Sequence, residues 1–280
     1  MICYKKLLFT SFVSICLTSS TIVKLQIAVP EKFKDLADSL PITVASLGQT
    51  KKPVSFGTFT SSRIKRGWNF KTSRNNSNSI VTTEDRILRT FNIQRSDFLT
   101  TQKHRFQFII RDAQRAASVY AMEHEVREGT QLLRNSRWLS ELNQEKNIQY
   151  SFSAVILPQS ETQQEPWIFS MYSGFDWTQR KKLFELNELK EEGMLTKGRD
   201  TIFIKTIKTD KINTDKGTQH SIPFALPLAY EMRIDDSVCA IIDPMGRILW
   251  LYRELDDERK FAIAAVTSAL LTRRIQNKLG

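Results

Sequence analysis

The stretch CAIIDPMGRILWLYRELDDERKF, residues 239–261, constrains the fold more than any other part of the chain. Two apolar runs flank Asp243-Pro244-Met245-Gly246, where proline presets one backbone dihedral and glycine permits positive φ, so the runs read as a hairpin. Acidic residues follow, and Asp256 or Asp257 is placed to cap a helix. Phe261, Ala264, Ala265, Ser268, Leu271 and Ile275 fall on one face of that helix. Arg273, Arg274 and Lys278 lie at its C-terminal end, where the helix dipole favours cations.

Upstream, IQYSFSAVILP (148–158) is apolar, β-branched and aromatic, and reads as a buried strand. DWTQRKKLFELNELKEEG (176–193) reads as a helix capped by Asp176 and stopped by Gly193, and DTIFIKTIKT (200–209) as a second strand. A polar, basic connection with Pro223 and Pro227 leads to the hairpin. The order β-α-β, connection, β-β-α predicts an α/β fold with a thioredoxin-like core over 148–280, its first two strands parallel through a right-handed crossover. Before it, from Thr83 to about Asn147, the spacing of Phe106, Ile109, Ile110, Ala113, Ala116, Ala117 and Tyr120 predicts an amphipathic helix. A second helical piece with Leu132, Leu133, Leu139 and Leu142 follows Gly129. The expected organisation is a targeting segment at 1–30, a basic extended arm or linker at 31–82, a helical region at 83–147 and the core at 148–280.

In a thioredoxin-like core the dithiol follows the first strand, at a helix N-terminus that lowers the thiol pKa. The corresponding stretch, 158–177, contains no cysteine, and Cys239 lies about 80 residues away on an apolar strand. Cys3 and Cys16 fall in the targeting segment, so no disulfide framework is expected and Cys239 reads as buried and inert. His104, His124 and His220 are scattered without metal-ligand spacing. The acid pairs Glu191-Glu192, Asp235-Asp236 and Asp256-Asp257 sit at element ends, where caps and turns account for them. No nucleophile-base pattern or phosphate loop occurs. The expectation is a protein with no catalytic residue, no cofactor and no metal.

The formal net charge is +11, and residues 51–111 hold 13 Lys and Arg against three acids, Glu84, Asp85 and Asp97. Such a block points to a polyanionic partner, whether nucleic acid, anionic lipid or an acidic protein face, or to a solvated arm. Phe56, Phe59, Trp68 and Phe70 are interleaved with its cations, a mixture suited either to stacking on bases or to pinning the arm onto a domain. The first thirty residues carry Lys5, Lys6 and Lys24, an apolar run from Leu7 to Leu17, and no acid before Glu31. That run is too short to span a bilayer and fits a secretory or a mitochondrial address.

AIIDPMGRILW (240–250) resembles the mitochondrial ATP synthase assembly factors with a thioredoxin-like domain. Asp243, Gly246, Arg247, Ile248 and Trp250 fit that family's pattern, while Leu249 stands in place of its second arginine. The resemblance implies a non-catalytic assembly chaperone on the matrix face of the mitochondrial inner membrane, with a hydrophobic membrane-sector subunit as client. Peripheral membrane contact would come from basic residues 51–111, and partner binding from Arg247, Trp250, Pro223 and Pro227. The alternatives are a basic mitochondrial nucleic-acid-binding protein and a divergent peroxiredoxin-like redox protein.

Overall fold

The structure, a computed structural model, describes residues 25–43, 52–76, 93–134, 141–159, 164–176, 191–214 and 219–273. Strands β1 (Leu25–Ile27) and β2 (Ala37–Pro41) flank a one-turn helix, Glu31–Lys34. β3 (Ser55–Phe56), β4 (Phe59–Ser61), β5 (Lys65–Arg66) and β6 (Phe70–Asn76) are short. β7 (Ile93–Arg111), β8 (Ala116–Arg134) and β9 (Glu141–Pro158) are long. β10 (Trp167–Asp176), β11 (Glu191–Lys197), β12 (Asp200–Thr214) and β13 (Gln219–Ile234) follow. β14 (Ser237–Asp243) and β15 (Ile248–Tyr252) form the predicted hairpin, and the helix Asp257–Thr272 comes after it.

All fifteen strands join one sheet, with neighbours in the order β2-β15-β14-β13-β12-β11-β10-β9-β8-β7-β4-β3. Pairing along this path is antiparallel throughout. Its two ends meet, because Thr43, just past β2, bridges Ser55 of β3. The sheet therefore curls into a nearly closed barrel, and curling is how a large antiparallel sheet disposes of its edges.

The C-terminal helix occupies the barrel interior, and every residue from Phe261 to Arg273 is buried. Asp256 caps its start, accepting the Arg259 N–H at 2.9 Å. The run FAIAAVTSALL is apolar on all sides, as a helix surrounded by protein must be. Its polar members are satisfied within the helix: Thr267, Ser268 and Thr272 hydroxyls donate to the carbonyls of Ile263, Ala264 and Ser268. Inward side chains of the strands, among them Phe106, Phe108, Ile110, Phe152, Phe169, Leu195 and Ile202, complete this core. A smaller apolar cluster lies outside the barrel, where Ile27, Val29, Phe33 and Ala37 cover Ala229 and Ile241.

The thioredoxin-like expectation is overturned. A β-α-β unit requires parallel neighbours, but the strands read at 148–158 and 200–209 lie in β9 and β12, separated by β10 and β11. Where it is described, the helical region is strand: β7 covers 93–111, β8 116–134 and the start of β9 141–147, while 83–92 and 135–140, with Leu139, lie outside the described residues. Burial there alternates, with Phe106, Phe108 and Ile110 inside and Lys103, Arg105 and Gln107 outside, a period of two that outweighs the helical spacing. Ala113 lies in the turn between β7 and β8, where Asp112 accepts the N–H groups of Gln114 and Arg115 at 2.8 and 2.7 Å. Of the predicted helix at 176–193, residues 177–190 lie outside the described residues, while its expected cap Asp176 ends β10 and Glu191–Gly193 open β11. The connection with Pro223 and Pro227 lies in β13, and the arm expected at 31–82 holds the one-turn helix and β2 to β6, with 44–51 and 77–82 outside the described residues. Residues 1–24 of the expected targeting segment lie outside the described residues, and 25–30 carry β1 with the buried Ile27 and Val29.

Candidate binding face and the buried polar ring

Segments β4, β5 and β6 run one after another along the free edge of β7, pairing Thr60 with Arg111, Lys65 with Gln107 and Phe70 with Lys103. This pairing sorts the four interleaved aromatics. Phe56 and Phe59 point into the core, with ring centroids 5.9 Å apart, and Phe59 meets Phe261 of the central helix at 6.3 Å. Trp68 and Phe70 stand outside, 85% and 59% exposed. Exposed Arg74 and Lys103 share the face of Phe70, exposed Lys71 borders the edge from the other face, opposite Gln102, and Lys65 and Arg105 are exposed nearer Trp68; no acid occurs between Lys51 and Glu84. Arg66, which alternates inward, donates instead to the Thr272 carbonyl at 2.9 Å, capping the C-terminal end of the helix.

Beside this edge, on the outer face, lies a groove of about 640 Å³. Tyr120, Met122 and Val155 of β8 and β9 form its floor, and Lys65, Trp68 and Arg105 stand at its rim.

Inside the barrel, cross-strand register assembles a ring of polar side chains. Gln102 pairs with Glu125, Glu125 with Tyr150, Tyr150 with Ser173, and Ser173 with Glu191. Glu191 then exchanges hydrogen bonds with Thr206, which pairs with Tyr230. Arg273, at the end of the helix, reaches into this ring. Its guanidinium is 1% exposed and donates to both Glu191 carboxylate oxygens, at 3.1 and 3.3 Å, and to the Tyr230 hydroxyl at 2.5 Å. The Tyr230 hydroxyl donates in turn to Glu191 at 2.6 Å. The rings of Phe152, Tyr230 and Tyr150 lie 5.4, 5.5 and 5.7 Å from the cation. Desolvation drives the Tyr150 and Tyr230 hydroxyls well above their ordinary range, so both are neutral. The ring closes one end of the apolar core; each polar group in the Arg273–Glu191–Tyr230 set satisfies another.

The residues singled out for partner binding are dispersed. Arg247 is exposed at φ 55° in the β14–β15 turn, and its carbonyl accepts the Ile42 N–H at 2.7 Å. Trp250 is half-buried against the outer cluster under the N-terminal segment. Pro223 and Pro227 lie within β13, Pro227 opposite Lys208 beside a register shift. Partner binding by these four is implied by the resemblance alone, and the thioredoxin-like fold that goes with that resemblance is replaced here by the barrel.

Asp243 and Gly246 have a local explanation. The buried Asp243 carboxylate accepts the N–H of Gly246 at 2.8 Å and of Ile27 at 2.9 Å, tying the hairpin turn to β1. A Cβ at position 246 would collide with that carboxylate and with Gln26. Burial raises the Asp243 pKa against the lowering effect of those N–H donors. Cys239 is buried, and desolvation pushes its thiol up to about 12, leaving essentially no thiolate at neutral pH. Asp235-Asp236 make the β13–β14 turn and Asp256 caps the helix, as element ends require, but Glu191 is neither cap nor turn: it opens β11 and pairs with the buried Arg273. Among the described residues, no group of three His, Cys, Asp or Glu side chains is placed to share a metal ion.

Sequence reasoning found the basic-aromatic edge but not the groove or the ring. The ring draws single residues from seven strands, and no local signal marks them. No protein-family model, curated protein or solved structure matches the chain.

Proposed function

We propose that this chain is a non-catalytic binding protein that seats on an anionic membrane surface through the β6–β7 edge. The observation that carries this reading is the pair of bare aromatics, Trp68 in the β5–β6 link and Phe70 at the start of β6, with Arg74 and Lys103 on the face of Phe70 and Lys71 beside them on the same edge. Aromatic side chains favour the headgroup level, and each cation near an anionic surface contributes about 1 kcal/mol. The edge is anchored by its pairing to β7, so little ordering entropy opposes contact. Among the described residues no helix is long and apolar enough to cross a membrane.

The narrower proposal is that the protein holds a hydrophobic membrane-sector subunit of mitochondrial ATP synthase during assembly, at the matrix face of the inner membrane. It rests on the resemblance at Asp243, Gly246, Arg247, Ile248 and Trp250; the barrel adds no support, because the turn itself requires Asp243 and Gly246. Enrichment of that subunit in a pull-down from solubilised mitochondria tests it, and its absence refutes it.

The membrane reading is tested by co-sedimentation with vesicles of phosphatidylcholine alone and of phosphatidylcholine with phosphatidylserine. Binding is expected only to the anionic vesicles, with Trp68 emission shifting to the blue. Lys71→Glu/Arg74→Glu should weaken it at least about tenfold, since four charge units change at the surface. Equal binding to neutral vesicles, or no effect of the double variant, refutes the reading. Tighter, steeply salt-dependent binding to a single-stranded oligonucleotide replaces it with the nucleic-acid alternative.

A further inference from the structure

We propose that the groove beside Trp68 is a docking site for an acidic, amphipathic segment of a partner protein. The proposal goes beyond the membrane reading and shares only Trp68 with it. The groove floor is apolar yet open: Tyr120, Met122 and Val155 are 50%, 37% and 40% exposed. Lys65 and Arg105 flank it, and among the described residues no carboxylate lines it. An apolar floor with a cationic rim is complementary to a segment with apolar anchors on one side and carboxylates on the other.

The surface beyond the groove favours a polypeptide over a small molecule. Val155 pairs with Ile168, and Ser170 of β10 continues through Met194 to Phe203. Ile168, Met194 and Phe203 are all exposed, so an uncovered apolar band runs from the groove across β9 to β12. Large contiguous apolar patches of this kind mark interaction surfaces. Further round the sheet, the chain covers an equivalent stretch of the outer face with its own N-terminal segment, seating Ile27, Val29 and Phe33 against Ile241, Trp250 and Tyr252. A peptide laid across strands with apolar anchors inward is thus a contact this barrel already makes. The band from Tyr120 to Phe203 has no such cover among the described residues.

Two fluorescein-labelled model peptides serve as probes for the full chain: one with leucine and phenylalanine on one helical face and glutamate on the other, and one with lysine replacing each glutamate. Fluorescence anisotropy is expected to show binding of the glutamate peptide and much weaker binding of the lysine peptide. Met122→Glu and, separately, Arg105→Glu should each weaken the glutamate peptide about tenfold or more. Arg105 is exposed, so its variant reports on binding even if the Met122 change disturbs the sheet. Lys71→Glu/Arg74→Glu should leave peptide binding unchanged while weakening vesicle binding at least about tenfold, so the two readings fail separately. Equal binding of both peptides, or indifference to Met122→Glu and Arg105→Glu, overturns the proposal. Anionic vesicles or a single-stranded oligonucleotide binding through Met122 and Arg105 in preference to the peptide overturns it as well.

Discussion

Replacing Arg273 by methionine tests whether the polar ring holds the central helix in its barrel. The guanidinium is 1% exposed, and its partner Glu191 has a side chain only 14% exposed. Arg273→Met would leave the Glu191 carboxylate without its cation and the Tyr230 hydroxyl without a donor facing it. Breaking a buried pair by removing one partner costs about 3–5 kcal/mol. Three aromatic faces around the cation also lose their contact, although methionine restores part of the packing. The expected loss is therefore about 3–5 kcal/mol, a large fraction of the ~5–15 kcal/mol that stabilises a typical domain. Equilibrium urea unfolding of the wild type, Arg273→Met, Glu191→Gln and the double variant completes a cycle. Glu191→Gln alone strands the arginine, so it too should destabilise. The double variant leaves no buried charge at this pair, and its loss should fall short of the sum of the singles by roughly 1–3 kcal/mol. A loss below about 1 kcal/mol for Arg273→Met, or strict additivity, would refute the reasoning.

Asp243 should leave a pH signature. Its folded carboxyl titrates above the ordinary 3.8, so the stability it contributes is full below that value and declines as pH rises through the folded pKa. The unfolding free energy of the wild type minus that of Asp243→Asn should thus fall with rising pH across the acid range; a rise would contradict this assignment. Gly193→Ala should lower the melting temperature by several degrees, because a Cβ there would lie 2.5 Å from the Ser170 carbonyl oxygen and 2.9 Å from the Met171 Cα, and neighbouring backbone cannot give way cheaply. An unchanged melting curve would show that β10 and β11 separate more easily than their pairing suggests. In a chain with Cys3 and Cys16 replaced by serine, Cys239 should resist a thiol reagent at neutral pH and react only at the rate of unfolding. Fast labelling of the native protein would mean the thiol is not held in the core.

The strands at 148–158 and 200–209, the hairpin, the Asp256 cap and the buried thiol were all legible, because each follows from pattern or turn chemistry within a few residues. The helical reading of 83–147 failed where two periods competed. Choosing Ile109 and Ala113 over Phe108 hid the alternation of Phe106, Phe108 and Ile110. FAIAAVTSALL carried a signal that was read too narrowly: Ala262, Ile263, Val266, Ala269 and Leu270 make every face apolar, which already called for enclosure on all sides. For the binding face, composition supplied the cations and aromatics of 51–76, but only the β3–β4 pairing and the pairing of β4 and β6 with β7 turned Phe56 and Phe59 inward and left Phe70, with the neighbouring Trp68, outside.

By itself, the sequence determined where the chain turns, which residues want water excluded, and where positive charge accumulates, since those depend on neighbours along the backbone. Tertiary structure alone decided that β2 meets β15, that Asp243 takes the N–H of Ile27 from 216 residues away, and that one polar residue from each of seven strands lies level with Arg273. Such partners are chosen by the closure of the sheet around its helix. No short stretch of residues carries the energy that makes that choice.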